Sequence, residues 1–271
     1  MEIFKTIKFL IIVLLCFFLI IYILIISYVY FKQVELVFHG SRLPKDYKFS
    51  YQQKFEEINI KSFDGSILNG LLFKAENSKG LVFYLHGNAG TLETWGNIAR
   101  IYTSLGYDIF ILDYRSFGKS EGEIENEEQL SKDISIAYHS LSKKYQENKI
   151  VIAGYSIGSG FAAKLALENK PKALILQAPY YSFLELSKAK VPLFPDFMKK
   201  FSLETNVYLP QIKSPIYIFH GKNDRLIPIE NSVRLKKLLK SNAYFYPLKN
   251  QEHTGVNENE DFQNQLKKIL E

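Results

Sequence analysis

Three residues in this chain have the types and order to do acyl-transfer chemistry: Ser156 within Gly154-Tyr155-Ser156-Ile157-Gly158, then Asp224, then His253. A serine hydroxyl is a poor nucleophile at neutral pH unless a base takes its proton and an acid holds that base in the right tautomer. The glycines at 154 and 158 have a steric purpose. A reversal tight enough to expose a serine hydroxyl strains the serine backbone and brings neighbouring backbone close, and only glycine two before and two after leaves room. The same turn aims the Ile157 N–H at the space in front of the hydroxyl, where it would meet a developing oxyanion.

His253 is the only histidine after Asp224 and lies in a polar loop, 250–255. Among the others, His39 lies in a linker and His139 in a helix. His86 and His220 each precede a glycine at a strand end, where support of the backbone is the expected role. Taken alone, Asp224 also reads as a turn aspartate. Glu252 is a second acid near the base, but a neighbour in sequence seldom reaches the far side of an imidazole. A second oxyanion donor is expected from the loop His86-Gly87-Asn88-Ala89-Gly90, and the Asn88 N–H is the candidate. No G-K-[ST] follows these glycines, which argues against a phosphate loop.

The elements that must hold these residues can be read from the pattern. Residues 55–60 and 68–73 flank an Asp64-Gly65 turn and predict a hairpin. Apolar runs at 81–85, 108–112, 150–153, 173–176, 216–219 and 243–246 alternate with helical patterns, as expected of a parallel sheet covered on both faces. The helix predicted at 157–168 is stopped by Asn169-Lys170-Pro171, and a last helix is predicted at about 261–270. Residues 179–212, rich in Tyr, Phe, Leu and Pro, are too long for a simple link and predict a small cap.

Ahead of this domain, residues 9–31 are 23 consecutive uncharged residues. As a helix they span roughly 35 Å, enough to cross a bilayer with some tilt. The exit Ser27-Tyr28-Val29-Tyr30 lacks the small-residue cleavage site of a signal peptide, so an uncleaved anchor over 1–32 is expected. A linker over 33–51 and a catalytic domain over 52–271 would follow. Flanking lysines do not decide orientation; the short leading tail favours an N-terminus inside and the domain outside.

The 271 residues, 47% hydrophobic and 23% charged, suffice for one sizeable core. The net charge of +6 is spread without a basic block, which argues against nucleic acid as a partner. The lone Cys16 lies in the apolar run, so no disulfide, zinc or catalytic thiol is expected in the domain. No metal or organic cofactor is called for, and the sequence is silent on oligomeric state.

Together, His86-Gly87-Asn88-Ala89-Gly90, residues 113–120 (DYRSFGKS), Gly154-Tyr155-Ser156-Ile157-Gly158, Gly221-Lys222-Asn223-Asp224 with Pro228, and His253 resemble the membrane-tethered branch of the α/β-hydrolase superfamily. The resemblance runs from about Phe38 to the C-terminus. It implies an α/β-hydrolase fold, with helices on both faces of a mostly parallel sheet, and the chain order nucleophile, acid, base. The branch includes depalmitoylases and lysophospholipid or monoacylglycerol lipases, so the resemblance implies hydrolysis of carboxylic esters or thioesters. The tether to a bilayer and the aromatic residues of the cap, among them Tyr180, Phe183, Phe194, Phe197 and Phe201, add the expectation of acyl-chain substrates near the membrane. A peptidase on the same fold, or a non-catalytic membrane-bound binding module, are the alternatives. It also implies structural or pocket-shaping roles for Asp113 and Arg115. Two positions depart from the pattern: Ser116 replaces a glycine, and Gln251-Glu252 replace the glycine before the histidine.

Overall fold

A computed structural model describes residues 1–239 and 241–271. The first helix, α1 (Glu2–Val37), contains the whole apolar run and does not stop with it. It continues six residues past Phe31, into the stretch expected as linker, because Lys32 to Val37 are themselves adequate helix formers and find partners on the domain. Residues 38–51 then run across the domain surface, with Phe38 and Phe49 buried and short bridges pairing His39 with Ala89 and Arg42 with Gly118.

The hairpin forms as the Asp64-Gly65 turn demands: β1 (Phe55–Lys61) pairs antiparallel with β2 (Ile67–Phe73), and Gly65 takes φ +93°. The remaining strands are parallel to one another: β3 (Gly80–Leu85), β4 (Tyr107–Leu112), β5 (Ile150–Tyr155), β6 (Ala173–Gln177), β7 (Ile216–Gly221) and β8 (Ala243–Leu248). One eight-stranded sheet results, ordered β1-β2-β4-β3-β5-β6-β7-β8.

Alternate residues of each buried strand feed two cores. Leu81, Phe83 and Leu85 join the core shared with α4 (Glu127–Ser142), α5 (Ile157–Glu168) and α8 (Glu230–Leu238). Val82 and Tyr84 join the core on the other face, shared with α2 (Leu92–Trp95), α3 (Ala99–Thr103) and α9 (Glu260–Leu270). Both faces are thus covered, which is why these strands are apolar without alternation. The stretch expected as a cap carries α6 (Phe183–Lys190) and α7 (Thr205–Tyr208), with short 3₁₀ turns at Asp196–Met198 and Leu209–Gln211.

Chain direction switches at β3. Its successor β4 lies on one side and β5 on the other, so a crevice opens at the carboxyl ends of β3 and β5. That is where the loop carrying Asn88 and the turn carrying Ser156 sit side by side.

Candidate active site

β5 ends at Tyr155 and α5 starts at Ile157, so Ser156 alone makes the reversal, at φ 53° and ψ −120°. Such a conformation costs an L residue on the order of 1–3 kcal/mol and persists only where the surroundings enforce it. The surroundings here are close backbone. A Cβ on Gly158 would lie 2.3 Å from the Leu85 carbonyl oxygen, and one on Gly154 would lie 2.5 Å from the Gly158 carbonyl oxygen. Both glycines are therefore present for the reason the pentapeptide suggests.

Asp224 and His253 come to the same crevice from the loops after β7 and β8. His253 Nε2 lies 2.9 Å from Ser156 Oγ, and His253 Nδ1 lies 2.7 Å from Asp224 Oδ2. The carboxylate can only accept, so Nδ1 carries the proton and Nε2 offers its lone pair to the serine hydroxyl. Burial alone would raise the Asp224 carboxyl. Hydrogen bonds donated by His220, His253 and the Ile227 amide outweigh it and hold the group well below the usual carboxylate range. The Leu226 and Ile227 amides donate to Oδ1 at 2.9 and 2.8 Å, so the loop backbone fixes the carboxylate as well as charging it.

Two supports were not read as part of the site from sequence. His220 is buried, with Nδ1 2.6 Å from Ser232 Oγ and Nε2 2.7 Å from the Ile227 carbonyl and 3.2 Å from Asp224 Oδ2. Two acceptors at Nε2 require a proton there, so His220 supports a side chain as well as backbone. The buried Tyr155 hydroxyl donates to the His253 carbonyl, joining the turn that carries the serine to the loop that carries the histidine. The histidine-glycine pairs gave the signal for His220 only in part, since His86 has the same context and a different partner. His86 Nε2 lies 3.4 Å from Asp113 Oδ1, both fully buried, and burial raises the Asp113 carboxyl above its ordinary range.

Asn88 and Ile157 face the same crevice as Ser156, and all three line one cavity. Ile157 is the first residue of α5, so its N–H has no acceptor within the helix. The Asn88 peptide is held through its carbonyl, which accepts from the His39 amide at 2.7 Å. Its side-chain amide donates to the Val37 carbonyl at the end of α1, 3.1 Å away.

Ser156 sits where two cavities meet, each of about 370 Å³. One is mainly apolar and runs between the cap and the end of α1, past Tyr180, Phe183, Phe194 and Phe201. The other lies beyond His253 and is more polar, with Thr94, Trp95, Asn257 and Glu258 in its lining. Of the cap aromatics, Tyr180, Phe194 and Phe201 are buried, whereas Phe197 is 89% exposed. Neither departure from the family pattern faces these cavities. Ser116 takes the glycine-favouring φ of 64°, and its hydroxyl bonds Glu123 and the Ile124 amide. Gln251 shapes the histidine loop from within, bonding the Thr254 carbonyl and Asn259. Arg115 and Asp113 also lie outside both cavities; Arg115 clamps Asp64 in the hairpin turn to Asp133 on α4.

Residues 76–207 match the family model described as serine aminopeptidase, S33. The protein bem46 of Schizosaccharomyces pombe is 28% identical over 231 residues, covering 78% of this chain and 76% of its own. The lysophosphatidylserine lipase ABHD12 of Danio rerio is 28% identical over 186 residues, 60% of this chain and 48% of its own, so the chain matches about half of that relative. Among solved structures, the Pyrococcus furiosus esterase Pf2001 superposes with a TM-score of 0.67 at 19% identity, covering 85% of this chain and 97% of its own. The strand order, the serine turn between β5 and α5 and these likenesses agree: the chain has the α/β-hydrolase fold and is similar to members of that superfamily.

Proposed function

We propose that the chain is a membrane-anchored serine hydrolase that cleaves carboxylic ester or thioester bonds of substrates carrying an acyl chain. The reading rests above all on the unbroken line from Ser156 Oγ through His253 to Asp224, at 2.9 and 2.7 Å. In the first step His253 takes the serine proton as Ser156 Oγ attacks the carbonyl carbon. Asp224 stabilises the imidazolium, and the Ile157 and Asn88 amides receive the oxyanion. Collapse breaks the bond to the leaving group, which takes the proton from His253. Water, deprotonated by the same imidazole, then attacks the acyl-serine, and the acid departs with Ser156 restored.

The two cavities support the substrate class. An apolar channel of about 370 Å³ on one side of Ser156 suits an acyl chain, and the polar one on the other side suits a hydrophilic leaving group. The names of the esterase and lipase relatives agree with this reading. α1 is long and apolar enough to cross a bilayer. Our reading puts the N-terminus inside and the domain outside; a C-terminal alkaline phosphatase fusion, active only outside, tests it.

The family description as a serine aminopeptidase favours a second reading, peptide hydrolysis by the same three residues. Aminoacyl-arylamides assayed beside acyl esters separate the two. Ser156→Ala is expected to abolish both ester turnover and labelling by a fluorophosphonate. Ester hydrolysis at the wild-type rate by that variant would remove the assignment.

A further inference from the structure

The apolar cavity beside Ser156 is not built by the catalytic domain alone. Val29, Gln33, Leu36 and Val37 of α1 line it, facing Phe183, Leu186 and Phe194 across the space. Leu36 is 53% exposed, and part of its surface lines the cavity.

This packing is specific. Gln33 is buried, and its amide reads the cap backbone in both directions: Nε2 donates to the Met198 carbonyl at 3.2 Å, and Oε1 accepts from the Lys200 amide at 2.7 Å. A buried amide satisfied at both ends fixes one register of helix against cap. Higher on the helix, the Tyr22 hydroxyl donates to the Leu193 carbonyl at 3.1 Å. Tyr22 lies within the apolar run, about 14 Å before Phe31 at the helical rise of about 1.5 Å per residue. The tip of the cap therefore stands beside the membrane segment, with Leu193 73% and Phe197 89% exposed. A carbonyl at that level would face lipid unsatisfied, and the Tyr22 hydroxyl meets it.

On the reading of the site given above, we infer that α1 is a wall of the acyl-binding site as well as an anchor. The substrate is a lipid ester with a long acyl chain, which lies along Val29 and Leu36 with its tail directed toward the leaflet beside the cap tip.

The test uses the full chain in phosphatidylcholine vesicles and the ratio of kcat/KM for a dodecanoyl to a butanoyl p-nitrophenyl ester. Leu36→Trp, which fills the cavity from the helix side, is expected to lower that ratio by about tenfold or more, the discrimination a blocked apolar pocket gives. Leu36→Ala enlarges the cavity and is expected to move the preference to chains longer than dodecanoyl. Leu24→Trp, on α1 but outside the cavity lining, is expected to keep the wild-type ratio. A wild-type ratio in Leu36→Trp overturns the inference. Should that variant lose both esters, Leu36→Ala decides, and an unchanged chain-length preference there also overturns it. Wild-type protein inactive on every ester would instead refute the hydrolase reading itself.

Discussion

His220 and Asp224, four residues apart at the end of β7, face each other at 3.2 Å between Nε2 and Oδ2 in full burial. The carboxylate that accepts from His253 thus also accepts from a second histidine. His220→Ala removes a donor to a charged group, an interaction worth about 1.5–3 kcal/mol. Turnover of a short acyl ester is expected to fall by roughly tenfold to a hundredfold in kcat, with KM little changed. His220→Gln, which retains a donor, is expected to recover part of that loss. Equal changes in kcat and KM, with no rescue, would show that His220 only fills space.

Two buried aspartates are expected to pull stability in opposite directions with pH. The folded Asp224 carboxyl lies below its ordinary value of 3.8, so its contribution is present above about pH 4 and is lost as pH falls further. The folded Asp113 carboxyl lies above its ordinary value, so folding takes up a proton and stability declines as pH rises from about 4 through the raised value. Urea titrations at several pH values check both signs. Asp224→Asn should flatten the fall below pH 4, and Asp113→Asn the decline above it.

Arg115 ties the hairpin turn to α4. Its Nε lies 2.5 Å from Asp133 Oδ2 and its Nη1 2.6 Å from Asp64 Oδ2, with Asp133 buried. Arg115→Leu leaves that carboxylate without its cation and is expected to cost about 3–5 kcal/mol in urea unfolding. Arg115→Leu combined with Asp133→Leu should be less destabilised than the single variant, since no buried charge is then left unpaired.

Much of this was legible in the sequence, for a physical reason. Ser156, Asp224 and His253 each follow an apolar run within a few residues, and in a parallel sheet every such run ends on the same edge. Order and context then suffice to bring the three together. The β runs were legible because burial on both faces leaves no polar residue to interrupt them. The continuation of α1 to Val37 was not, because Lys32, Gln33 and Glu35 resemble the polar margin of a membrane helix. What makes Gln33 an interior residue is the backbone of Met198 and Lys200, distant in the chain and recorded nowhere near position 33. His220 was half legible: its strand-end place is visible, while its grip on Asp224 depends on how the loop after β7 turns back.

The glycines of the serine turn give a further expectation. Gly158→Ala would set a Cβ 2.3 Å from the Leu85 carbonyl oxygen, which is backbone and cannot swing aside. Thermal unfolding should show a loss of about 1–3 kcal/mol, the usual cost of overpacking. Ester turnover should fall further than stability alone explains, since α5 must move and the Ile157 amide moves with it.

The Asn88 side chain, bonded to the last turn of α1, changes how the whole molecule relates to a bilayer. A domain on a flexible tether would sweep a hemisphere and sample esters at any depth or angle. With the helix end pinned to the Asn88 loop and its flank pinned to the cap, the domain has one altitude and one attitude. On the proposed anchoring and activity, the molecule would work as a depth gauge, meeting only those bonds that lie at the level where the helix holds Ser156.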